Sequence, residues 1–261
     1  MLSVRSLAVL WAACLVFGGA FAQDVKPVRD PLLSSTTPAV TTPSEPLTPE
    51  VRGDIYMARK MYREAIETYE KAPQNSAVIW NKIGIAYHQL LQLDAAMKRY
   101  KRAMHLDRKY AEPVNNAGTI YYAERRYGKA VKFYKKALKL EPDSASIYSN
   151  LGTGYFAEKK YKEALVAYDK ALRLDPEIFE HHNTYGVLLQ ERTVDERAKF
   201  HYYLARIYAK EGQNDRALEY IRKALEEGFK DRKKLMEDPE FAALRETPQF
   251  QALLKLKPRV L

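Results

Sequence analysis

From Pro49 onward, apolar side chains recur at spacings of three and four residues, the period of helices that bury one face. Within that pattern small residues and tyrosines return at fixed intervals. Gly84, Gly118, Gly152 and Gly186 are each 34 residues apart. Tyr87, Tyr121 and Tyr155 follow three residues on, then Ala96, Ala130 and Ala164, Tyr100, Tyr134 and Tyr168, and Ala103, Ala137 and Ala171. The first two sets belong to one helix and the remainder to a second, joined by a short turn. Glycine and alanine mark points where backbones approach closely, and the tyrosines fill the space beside them. Leu93, Tyr127 and Tyr161 open the second helices. Pro142 and Pro176 close their units, because proline disfavours helical geometry in the residue before it.

Weaker copies flank the regular ones. Gly53, Tyr56, Tyr62, Ala65, Tyr69 and Ala72 keep the internal spacing, with Thr48 and Pro49 as cap and first helical position. After Pro176, Gly186 and Ala198 stay in phase, yet Leu204, Ala205, Tyr208, Ala217 and Ala224 begin a fresh unit, so 195–211 reads as a first helix. Units are expected near 49–76, 77–110, 111–144 and 145–178, then an irregular stretch at 179–197 and a last unit at 198–231. Two nine-residue echoes, Asp238-Pro239 to Leu244 and Thr247-Pro248 to Leu253, predict short capping helices within 232–261.

Trp80, Ile83, Gly84 and Tyr87, followed by Ala96, Tyr100 and Ala103, match the pattern W-x2-L-G-x2-Y with its later small and aromatic positions. In these residues the chain resembles the tetratricopeptide repeat family. The resemblance implies an all-α, right-handed α-solenoid of helix-turn-helix repeats, and a non-enzymatic scaffold or adaptor that binds peptide segments or partner subunits. It also implies that first helices line a concave groove. On that face it places Asn81, Asn115, Asn116 and Asn150, then Thr119 and Thr153, then Tyr122 and Phe156. Asn116 and Asn150, 34 residues apart, stack as a ladder. Such amides suit an extended peptide backbone; they equally suit packing and hydrogen bonding within the repeats. The lysine and asparagine flanking the glycine in chaperone-binding relatives are missing, since Ile85 follows Gly84 and Thr119 follows Gly118, so that specificity is not carried over.

The front of the chain has another character. Residues 1–22 combine Arg5, an apolar run from Leu7 to Phe21 and an Ala20-Phe21-Ala22 end, the form of a secretory signal cleaved after Ala22. An uncleaved anchor and a lipoprotein cut before Cys14 are the alternatives. Residues 23–48 are rich in Pro, Ser and Thr and read as a semi-rigid linker. The expectation is an exported protein, periplasmic or secreted, that works in a bacterial envelope assembly. Its mature chain would hold no cysteine and no membrane-spanning segment.

Charge adds a second candidate surface. With 43 Lys and Arg against 33 Asp and Glu, the net charge is +10. Lys98, Lys101 and Arg102, then Lys132, Lys135, Lys136 and Lys139, then Lys170 and Arg173 fall at matching outward positions of second helices. This is either a solvated face or an electrostatic anchor to an acidic protein, to acidic lipids or to cell-wall polymers. Nucleic acid is not expected of an exported chain. No catalytic constellation emerges, and Gly152 and Gly154 lie inside a predicted helix rather than in a phosphate loop. His181, His182 and His201 are the histidines considered for a metal, but adjacent helical residues point about 100° apart, so no metal or other cofactor is expected.

Overall fold

The computed structural model describes residues 47–179 and 193–256. The signal, nearly all of the linker, most of the irregular stretch, Gly186 and the pair His181 and His182 lie outside them. The chain divides into Met1–Glu45, also outside, and one compact unit, Pro46–Leu261.

Among the described residues that unit contains five helical hairpins. They are α1 (Pro49–Ala58) with α2 (Tyr62–Tyr69), α3 (Ala77–Gln89) with α4 (Leu93–Leu106), α5 (Ala111–Ala123) with α6 (Tyr127–Leu140), α7 (Ala145–Ala157) with α8 (Tyr161–Leu174), and α9 (Val194–Lys210) with α10 (Asn214–Glu226). In the first four hairpins each second helix packs on the first helix that follows it. The first helices α3, α5 and α7 also touch in succession, whereas second helices make no comparable contact with one another. The stack therefore curves with its first helices on the inner side. The last hairpin starts at Val194 because Thr193 and Glu196 form a reciprocal capping box there.

Each of the first four hairpins is locked by the same pair. A β-carbon on Gly53, Gly84, Gly118 or Gly152 would meet the ring of Tyr69, Tyr100, Tyr134 or Tyr168 at 2.3 to 2.6 Å. The last hairpin replaces both members, with Ala205 and Ile221 each fully buried at the equivalent places. The turns share a second device, which the spacing does not reveal. Lys60, Leu91, Arg125 and Lys159 hold φ between 58° and 61°, a conformation that costs an L-residue roughly 1–2 kcal/mol. Gly212 takes the same place in the last hairpin at φ 73°, without that cost. Leu91, 79% exposed, is thus a turn residue rather than part of an apolar patch.

The two ends are finished differently. At the front, α1 carries exposed Arg52 just before its glycine, where later units bury Ile83, Ala117 and Leu151 against the preceding hairpin. A cation there suits the first helix of the described residues, which has no described hairpin ahead of it. At the back, α11 (Arg232–Glu237), a 3₁₀ turn (Pro239–Phe241) and α12 (Pro248–Leu254) cover the last hairpin. The first echo thus gives only a 3₁₀ turn, with an additional helix ahead of it. Asp238 does not cap its own segment, because its carboxylate accepts a hydrogen bond from the Tyr202 hydroxyl. The Thr247 hydroxyl donates to the Leu244 carbonyl at 2.6 Å and still caps α12 by accepting from the Phe250 amide at 3.3 Å.

Candidate functional site

The inner side is built by α3, α5 and α7, and its asparagines are turned toward one another. Asn81, Asn115, Asn116 and Asn150 are all buried. Their amides bond to one another from repeat to repeat. Asn116 Nδ2 donates to Asn81 Oδ1 at 3.1 Å, Asn115 Nδ2 to Asn116 Oδ1 at 3.4 Å, and Asn150 Nδ2 to Asn115 Oδ1 at 3.0 Å. At the near end Asn81 Nδ2 donates to Glu112 Oε2 at 2.9 Å and to the Tyr110 hydroxyl at 3.2 Å. A buried amide needs such partners, and here neighbouring hairpins supply them. The ladder is a seam between repeats.

The remaining groove candidates are drawn inward too. Thr119 donates to the Asn116 carbonyl at 2.7 Å, and Thr153 lies 3.1 Å from the Tyr168 hydroxyl. Tyr122 is buried against Tyr127, and Phe156 is buried among Tyr161, Phe200 and Tyr203. Sequence placed all of these on the correct helices. What it could not read is that successive first helices touch, so that these side chains find their partners within the stack.

One position per repeat does stay open on the first helices. Val78, Glu112 and Ser146, each 34 residues apart near the helix starts, are exposed. They differ in chemistry from unit to unit, one apolar, one acidic and one hydroxyl. His88, near the far end of α3, has its imidazole pKa lowered by burial, so it stays uncharged at neutral pH. At the front of this side Lys82 Nζ lies 2.8 Å from both Glu50 and Asp54. Burial alone would lower its pKa, but the hydrogen bonds to Asp54 and Glu50 raise it.

The outer side keeps most of its expected cations. Lys98, Lys101, Arg102, Lys132, Lys135, Lys136 and Lys139 are exposed. Lys170 and Arg173 depart from that pattern. Arg173 is paired with Asp169 at 3.2 Å and Glu211 at 2.9 Å, and Lys170 Nζ lies 3.9 Å from Asp143. The basic stripe therefore stops at α6, because α8 and α9 bring their own acids to the same surface. His201 faces Glu227 at 2.8 Å, and burial together with the nearby Lys223 and Arg197 lowers its pKa although that carboxylate raises it. Among the described residues no group of three or more His, Cys, Asp or Glu could hold a metal, and no helix is long and apolar enough to cross a membrane.

If the asparagines are a seam, Asn116→Ala acts on stability. It leaves Asn81 Oδ1 and Asn115 Nδ2 buried without their partner, so urea unfolding should show a loss of about 2–4 kcal/mol. An unchanged midpoint would contradict the seam.

Family models agree with the repeated helical hairpins. Models described as tetratricopeptide repeat match residues 51–72, 145–178 and 198–228, and one described as TPR repeat matches 118–153. No curated protein matches the chain in sequence. Among solved structures, a MamA crystal structure is 23% identical, with a TM-score of 0.46 over 69% of this chain and 96% of that one. A MamA fragment from Desulfovibrio magneticus RS-1 is 18% identical, with a TM-score of 0.46 over 69% and 93%. The first TPR of Spaghetti (RPAP3) bound to the HSP90 peptide SRMEEVD is 25% identical, with a TM-score of 0.39 over 41% and 86%.

Proposed function

This chain is a tetratricopeptide repeat protein, and from that premise we propose that it is a non-enzymatic scaffold holding peptide segments or partner subunits in a bacterial envelope assembly. The observation that carries the reading is the exposed inner position of each regular repeat, Val78, Glu112 and Ser146, where Glu112 keeps one carboxylate oxygen in the seam with Asn81 and Tyr110. Three unlike side chains in a fixed array give a partner one apolar, one cationic or hydrogen-bonding, and one polar contact in a set order. Selectivity then comes from residues outside the repeat signature, since the signature positions are consumed by packing. Placement in the envelope rests on the signal-like sequence of residues 1–22.

Photo-crosslinking side chains at positions 78, 112 and 146, and a control at exposed position 222 on α10, test the reading in cells of the native host. The same partner should be captured from all three inner positions and not from the control. Capture of an identical set from position 222, or no capture from the inner positions, would overturn it.

A further inference from the structure

We propose that the outer ridge of α4 and α6 docks an acidic, extended polypeptide segment, a proposal that rests on the scaffold reading and names the chemistry of one partner. Helix α6 carries Lys129, Lys132, Lys135, Lys136 and Lys139 and no acidic residue at all. Helix α4 adds Lys98, Lys101 and Arg102. All eight cations are exposed, and among the described residues no carboxylate lies within ion-pair distance of any of them. Two rest over tyrosine rings, Lys129 over Tyr121 at 5.7 Å and Lys135 over Tyr155 at 5.4 Å.

Helix α6 is also the exception among second helices at its start. Helices α2, α4, α8 and α10 place Glu64, Asp94, Glu163 and Asp215 in the first turn, where an acid complements the helix dipole. Helix α6 has Gly128 and Lys129 there instead. Its lysines repeat at three- and four-residue spacings, so like charges stack along one face for about 15 Å. The fold supplies nothing to neutralise them, and an anionic ligand would.

The surroundings select the class of ligand. The basic band is two helices wide and is bounded by exposed Glu64 and Glu67 on α2, with Glu70 just after it, and by the ion-paired Asp169 on α8. A broad anionic plane such as a membrane would press on those acids as well as on the lysines. None of the large exposed hydrophobic residues lies on α4 or α6, so hydrocarbon finds no anchor there. A narrow, linear polyanion lying along α6 meets only cations, and on α4 the single acid, Asp94, stands at the helix start ahead of Lys98. Seven of the eight are lysines, compact point charges on flexible stems that follow a linear polyanion without fixing its geometry. Lys129, Lys132, Lys136 and Lys139 rise by about 4.5–6 Å per step. Alternate residues of an extended strand are separated by a similar distance, about 6.6 Å.

The test measures binding of a fluorescent peptide of alternating glutamate and serine to the full chain. Phosphatidylglycerol vesicles and inorganic polyphosphate are run in parallel. Lys132→Glu, Lys136→Glu and Lys139→Glu together should weaken peptide binding by about tenfold or more, and added salt should weaken it in the unaltered chain. Lys162→Glu, Lys199→Glu and Arg222→Glu together, an equal charge change elsewhere, should leave it nearly unchanged. Should the first variant fail to fold by circular dichroism, the same three lysines changed to glutamine serve in its place. Equal loss in both variants would reduce the ridge to net charge and overturn the proposal. So would ridge-dependent binding of vesicles or polyphosphate in preference to the peptide. If no peptide binds while positions 78, 112 and 146 still capture a partner, the ridge proposal falls and the scaffold reading stands.

Discussion

Gly84→Ala is expected to destabilise the protein by about 1–3 kcal/mol, although alanine is the better helix former by about 1 kcal/mol. The new β-carbon would lie 2.5 Å from Cε1 of Tyr100. That ring cannot step aside, since Tyr100 is 1% exposed and packs with Ala96, Ala117 and Ile120. The last hairpin shows how the fold accommodates a β-carbon at this place, by pairing Ala205 with Ile221. Adding Tyr100→Ile to Gly84→Ala should therefore return part of the loss. Urea unfolding of both single variants and the double variant would give a coupling of about 1 kcal/mol or more. Simple additivity would show that the glycine and the tyrosine are not one interlock.

That interlock was legible in the sequence because it joins a fixed small residue to a fixed large one, and the 34-residue spacing repeats the pair often enough to expose it. Other features leave weaker traces. The left-handed turn residue is lysine, leucine or arginine in four hairpins, and only Gly212 hints at the backbone it adopts. Asn81, Asn115, Asn116 and Asn150 could be placed on the inner helices from sequence, but an amide facing a ligand and an amide facing the next repeat look alike there. The distance between α3, α5 and α7 decides between them, and that distance depends on side chains from several units at once. The basic stripe was visible in α4, where the one acid, Asp94, precedes it, and in α6, which has none. Its end at Lys170 and Arg173 depends on Glu211 and Asp143, which lie in other segments of the chain. At the C-terminus two similar echoes gave different structures, since Tyr202, distant in sequence, occupies the carboxylate of Asp238.

The second large effect concerns that C-terminal cover. Truncation after Asp231 would remove Leu235, Phe241, Leu244, Phe250 and Leu253, all buried with the last hairpin in one core. Phe241 packs edge-on to Tyr202 of α9, α12 lies on α10, and Arg206 holds Glu240 at 2.5 Å. Phe250→Ala alone should cost about 3–5 kcal/mol, because Phe250 has no exposed surface and lies against Phe241. In a repeat stack, contacts run between neighbours, so the loss should stay local. Hydrogen exchange of the truncated chain is expected to show α9 and α10 unprotected while α3 to α6 keep their protection. The contact that carries damage back toward the regular repeats is Phe200 of α9, which meets Phe156 and Tyr168. Helix α8 should therefore lose protection before α6 does. Uniform loss along the whole chain would mean that the solenoid unfolds as a single cooperative block, and no loss in α9 and α10 would mean that the cover does not hold them.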